Sequence, residues 1–385
     1  AGTLLYLGDV EQAEAPIFKA MSLDPELSEV QHTMGLYYWV RGLPDAMNAF
    51  ARAVELNPNN ADALQYYALS YWFGRERAGR PDLFRRAVAL DPLTLSRHAA
   101  LGDYLAKDGH SADALEVIER IQELFTNDQS NKKIEAYRVI DALLAQIGRI
   151  DEAIAWTIRA RDLEPGNFDH VQRLAELYAI IGDFNTALEL EPNAGLGILF
   201  HMRRYQALID DAEFLMLEQP EDILVRYLLA FGHTAIGNSA DALRILATTG
   251  QPDIIINDAA RFAADIEAYY TFINATYSFG DVEMARQLVN VMANVNRGTG
   301  QVWWYDFLRS CELAILGQED AAIVALGGIE NSAQLPWEPY LRDAVCMGLL
   351  EDRPEYQRII EQVESRKSAL REKLPETLAR FGVSL

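Results

Sequence analysis

Positive charge is scarce in this chain: 34 Lys+Arg stand against 57 Asp+Glu, a formal charge of −23 over 385 residues. A field of that sign repels phosphate backbones and anionic membrane surfaces, which are held by clustered cations, so nucleic-acid binding is not expected. Acidic surface keeps a chain soluble, and it also suits a basic protein partner. Long apolar runs are missing as well. No stretch approaches the roughly 18 apolar residues of a membrane-spanning helix. The opening "AGTLLYLGDVEQAEAP" has no basic segment ahead of a long apolar one, so it does not read as a signal peptide.

Only two cysteines occur, Cys311 and Cys346. Two thiols complete neither a metal site nor a disulfide framework. Both lie in apolar helical patterns, "LRSCELAIL" and "DAVCMGLL", and read as small buried residues. Their separation of 35 residues would also let them face each other on adjacent repeats, which leaves a disulfide open. The compartment stays open too, with the cytoplasm favoured.

Catalytic signatures are absent: there is no Walker A, Gly-x-Gly-x-x-Gly, His-Glu-x-x-His or Gly-x-Ser-x-Gly pattern. The six histidines (His32, His98, His110, His170, His201, His233) are scattered, with no pair at i,i+4. Metal coordination needs converging ligands, so neither a metal nor another cofactor is expected, and the chain does not read as an enzyme. The glycine cluster "NRGTGQVWW" (296–304) reads as a linker, and Arg75, Arg77 and Arg80 in "RERAGRPD" as partners for nearby carboxylates.

What the sequence does have is a repeat. "NAFARAVELNPNNADAL" (48–64) and "DLFRRAVALDPLTLSRH" (82–98) align without a gap, with Phe50 to Phe84, Ala53 to Ala87 and Pro58 to Pro92 each 34 residues apart. Each unit reads as helix A, a turn, and helix B ending at an acidic-Pro turn. A glycine between the helices (Gly8, Gly42, Gly109, Gly148, Gly182, Gly237, Gly280, Gly317) accepts the left-handed conformation that ends helix A. A small residue in helix B (Ala13, Ala46, Ala114, Ala153, Ala187, Ala242, Ala285, Ala322) lets helix A approach closely. Pro25, Pro58, Pro92 and Pro165 lack a donor and stop helix B.

This pattern resembles the tetratricopeptide repeat family over nearly the whole chain. The resemblance implies an all-α, right-handed superhelical solenoid, here of about ten helical hairpins, with the A helices lining a concave groove. It also implies a scaffold that binds a polypeptide segment there, from another protein or another domain of the parent chain. The alternative is a ligand- or partner-sensing module of a larger bacterial signalling or transcription protein, since the C-terminal run looks weakly like the repeat region of such regulators. Residues 1–7 read as the tail of a helix A, so the chain reads as part of a longer protein; self-association is a further possibility. Gln65, Asp103, Arg138 and Gln172 would face the groove, which makes no cationic clamp for a terminal carboxylate. Aromatic density places the candidate binding residues at Tyr38, Gln65, Tyr66, Trp72, Tyr227, Tyr270, Asn274 and Tyr277. Trp303 and Trp304 read as packing residues.

One unit is short. From Pro165 to Pro192 is 27 residues, and from Gly182 to its next counterpart, Arg203, is only 21. The shortfall predicts a joint near Asn193–Gly197, dividing residues 1–192 from 193–385, with a solvated capping helix over 354–374 closing the second array.

Overall fold

The computed structural model describes residues 2–6, 8–43, 45–73, 80–125, 132–220, 222–247, 266–293 and 303–385. Among them there is no strand and no helix long and apolar enough to cross a membrane. The first twenty of the described helices pair into ten hairpins. The first five are α1 (Gly2–Tyr6) with α2 (Val10–Leu23), α3 (Ser28–Val40) with α4 (Ala46–Leu56), α5 (Ala61–Phe73) with α6 (Pro81–Leu90), α7 (Leu95–Lys107) with α8 (Ser111–Phe125), and α9 (Lys132–Gln146) with α10 (Ile150–Leu163). The next three are α11 (Phe168–Ile180) with α12 (Phe184–Leu190), α13 (Leu196–His201) with α14 (Tyr205–Glu218), and α15 (Ile223–Ala235) with α16 (Ser239–Leu246). Then come α17 (Ile266–Phe279) with α18 (Val282–Ala293) and α19 (Trp303–Ile315) with α20 (Glu319–Leu326). A 3-10 turn (Gly327–Asn331), α21 (Glu338–Asp343), α22 (Val345–Gly348) and the long α23 (Pro354–Phe381) follow.

The repeat positions do what their chemistry requires. All eight inter-helix glycines have positive φ, from 64° to 100°. At Gly148 the left-handed turn satisfies the end of α9: Gly148 N donates to Ala145 O and Arg149 N to Leu144 O. The eight helix-B alanines are all buried. Helices α2, α4, α6 and α10 each stop two residues before their proline. Helix A of the second hairpin meets helix B so closely that a Cβ at Gly35 would lie 2.5 Å from the Phe50 ring. Phe50 is fully buried, and such burial stabilises by about 2–3 kcal/mol. Several successive A helices touch, as α7 does α9 and α15 does α17, on the side that such a solenoid curves around.

The short unit is real: α12 has seven residues and α13 six. Ala194 (φ 31°) and Arg203 (φ 58°) are the two non-glycine residues with positive φ among those described. Arg203 stands where eight of the other hairpin turns have glycine. The space beside this stunted hairpin is filled from the far end of the chain. Trp337 and Tyr340 bring their rings to 6.1 and 5.3 Å from that of Phe200, and Tyr340 lies 5.1 Å from Phe231. The main core takes in Ala187, Ala194 and Ile198, so residues on both sides of Pro192 share it.

Two expectations are corrected. The final helix does not stop at Leu374; it runs through Pro375 to Phe381 and ends at Gly382 (φ 65°). A proline inside a helix forfeits one backbone hydrogen bond, and packing beyond it offsets that loss. Nor is this helix simply a solvated cap. It folds back onto α10, where the Thr377 hydroxyl donates to Asp151 Oδ2 (2.6 Å), Lys373 Nζ lies 2.9 Å from the same oxygen, and Arg380 donates to Glu152 (2.9 Å). Arg371 bonds the Ile181 carbonyl. Helix α10 is therefore buried on nearly every side, carboxylates included.

The cysteines are buried as expected, and they are joined: Cys311 and Cys346 form a disulfide with Cα atoms 5.0 Å apart.

Candidate functional site

The inner face is built from A helices tied side to side by polar rungs. Arg97 on α7 donates to Gln65 Oε1 (3.2 Å) and Asp62 Oδ1 (3.0 Å) on α5, and to Asp91 Oδ2 (3.1 Å). Gln146 on α9 donates to Asp103 on α7 (2.8 Å). Arg173 on α11 donates through Nε and Nη2 to Asp141 Oδ1 on α9, both at 2.9 Å. The partners on neighbouring A helices are 32 to 43 residues apart, about one repeat. Each rung fixes side chains that would otherwise be free, so the face is presented with little ordering left to do. Arg138 lies 3.7 Å from Glu164 and 3.9 Å from Asp169, and it is exposed.

The electrostatics sharpen towards the short unit. Burial raises the carboxyl of Asp141 above its usual range, with the Arg173 guanidinium opposing the shift. Burial also raises Glu176 and Glu191. Glu191 accepts from the Gly195 backbone, and its Oε2 has no hydrogen-bond partner. A buried carboxylate oxygen without a donor is costly when charged, which is why proton uptake is favoured there.

The structure sorts the candidate residues. Tyr38 is half-buried beside Tyr37, their rings 5.9 Å apart. Gln65 is a member of the Arg97 rung. Tyr66 is half-buried and does not project as a free anchor: its ring stacks at 5.5 Å on Phe50 and sits 5.5 Å from His32. Trp72 lies on α5, and its side chain falls outside the described residues. Tyr277 on α17 is half-buried against the main core, away from α3 and α5. Three candidates belong to the interior instead. Tyr227, Tyr270 and Asn274 are 8, 4 and 3% exposed. Asn274 accepts from Cys346 N (3.0 Å) and donates to Tyr270 O (3.0 Å), while the Tyr270 hydroxyl lies 3.3 Å from Cys346 Sγ. These groups frame the disulfide.

Of the other readings, Arg80 pairs with Asp82 through two 2.8 Å hydrogen bonds, while Arg75, Arg77 and most of the 296–304 stretch lie outside the described residues. Trp303 is buried and Trp304 half-buried, in an aromatic cluster with Phe307 and Tyr340. Among the described residues no group of three or more His, Cys, Asp or Glu is placed to hold a metal ion.

No family model and no curated protein matches this chain. Solved structures similar to it include the APC/C hetero-tetramer Cut9–Hcn1, at 13% identity over 98% of this chain and 74% of that one, with a TM-score of 0.45. The human IFIT1 dimer with m7Gppp-AAAA matches at 15% identity over 85% of this chain and 79% of that one, TM-score 0.41. Yeast Tom70 matches at 13% identity over 98% and 96%, TM-score 0.30.

Proposed function

We propose that this tetratricopeptide-like solenoid is a binding scaffold that takes a polypeptide segment, from another protein or another domain of its parent chain, along its inner A-helix face. The observation that carries the reading is the ladder of polar rungs from α5 to α11. It holds Gln65, Asp103 and their neighbours in register along one face, with exposed Asp62, Arg138 and Asp169 beside it. Main-chain and side-chain groups of an extended segment find both charge signs there, one repeat at a time.

A photo-crosslinking amino acid placed at position 65 or 138 on the inner face should capture a polypeptide from cells that produce the protein. The same probe at Glu55 on α4 or Glu123 on α8, both exposed and on the outer helices, should not. Equal capture from both faces, or none from the inner one, would remove the groove from the site.

A further inference from the structure

Beside the fold-back lies a cleft of about 540 Å³, walled by α8, the end of α9, α10 and the end of α23. Volumes in this range suit small ligands, roughly 300–1,000 Å³ being typical. Its apolar lining includes Leu115, Ile118 and Phe381, and its charged lining is Arg149, Arg159, Arg380, Glu119 and Glu152. Three cations against two carboxylates leave the cleft net positive, on a chain whose total is −23.

Arg159 and Arg380 help hold α23 to α10, yet the charge they bring exceeds what the two carboxylates neutralise. Glu152 is nearly buried and receives both Arg149 and Arg380, where one guanidinium would neutralise it. Among the described residues Arg159 pairs with no carboxylate. Its Nη2 donates to the Phe381 carbonyl (2.9 Å), and its guanidinium carbon sits 4.8 Å from the Trp156 ring and 4.9 Å from the Phe381 ring. That stacking fixes the cation in place, so a ligand would spend little entropy on ordering it. A guanidinium has about five N–H donors, and each of these three makes one described hydrogen bond.

We propose that this cleft binds a small organic anion, its carboxylate or phosphate head on Arg149, Arg159 and Arg380 and its apolar body against Leu115, Ile118 and Phe381. Such a ligand bridges α8 and α10 to the last turn of α23, and so reports on, or locks, the fold-back.

Calorimetric titration of the full chain with phenyl phosphate and with 3-phenylpropionate tests this, with inorganic phosphate as the head alone. At least one organic anion should bind saturably, with a Kd of about 1 mM or tighter, equivalent to about 4 kcal/mol. The tighter of the two identifies the head group. Arg380→Gln should weaken it about tenfold, in line with loss of a charge-assisted hydrogen bond. Glu119→Gln should strengthen it about two- to threefold by removing a like charge from the exposed rim. This gain cannot come from loosening α23, so it separates ligand contact from a purely structural effect of Arg380→Gln. No saturable binding by either organic anion overturns the proposal, as does inorganic phosphate binding as tightly as phenyl phosphate. An unchanged or weakened affinity in Glu119→Gln also overturns it.

Discussion

Asp343 clasps the stunted hairpin, and its removal should be felt well beyond an ordinary surface ion pair. Its carboxylate accepts from Arg203 Nε and Nη2 and from the Tyr205 hydroxyl, each at 2.5 Å, and its side chain is only 14% exposed. Arg203 is 43% exposed, so screening limits the paired hydrogen bonds to about 1–2 kcal/mol. Tyr205 is buried, and leaving its hydroxyl without an acceptor costs about 1–2 kcal/mol more. Asp343→Ala should therefore destabilise by about 2–4 kcal/mol. Arg203→Gly behaves differently. It loses the same ion pair but releases a left-handed backbone strain of about 1–2 kcal/mol, so it should be neutral to within about 1 kcal/mol. Urea unfolding followed by tryptophan fluorescence compares the two, with the double mutant completing the cycle. If Arg203→Gly destabilises as much as Asp343→Ala, the clasp is not compensating for backbone strain and the reasoning fails.

Two further outcomes follow. Reducing Cys311–Cys346 frees a loop of 35 residues, and the chain-entropy relation gives about 4 kcal/mol; the urea midpoint should drop in dithiothreitol, and an unmoved midpoint at full thiol count would sink this. Burial lowers His201 to about 3, with Lys367 adding to the shift, and burial lowers His32 and His98. A depressed histidine favours the folded state above its unfolded value near 6.5, and that stability is lost as pH falls from 6.5 towards 3. The raised Asp141, Glu176 and Glu191 act oppositely, since their folded forms take up protons more readily as pH falls towards 4. The midpoint of His201→Gln should thus fall less steeply than wild type between pH 6.5 and 5, and a His201 resonance titrating near 6.5 would contradict the assignment.

The hairpins were legible because their punctuation is local. A glycine at a left-handed turn, an alanine under a crossing helix and a proline after helix B each act within one repeat, and Arg203 could be aligned with the glycines by phase alone. The fold-back was not legible. Contact between Asp151 and Thr377 leaves no periodic trace, and Lys373 and Arg380 on an amphipathic helix look like any solvated face. The helix expected over 354–374 runs on through Pro375 because the packing that tolerates this proline comes from α10. Tyr270 and Asn274 misled for a related reason: on an A helix, a polar aromatic and an amide suit a groove as well as a disulfide's surroundings, and only the approach of Cys346 decides. The candidate pair that stayed together, Gln65 and Tyr66, did so because adjacent positions on one helix travel as a unit.

The docking of α23 also changes how the chain must be made. An array with only neighbour contacts completes each repeat as it emerges during synthesis. Here α10 keeps Asp151, Glu152 and the Trp156 ring uncovered until residues 377–381 arrive, some 220 positions later. Closing so long a loop is slow, and during that wait a half-made chain offers a sticky, partly charged face to chaperones and to other nascent copies.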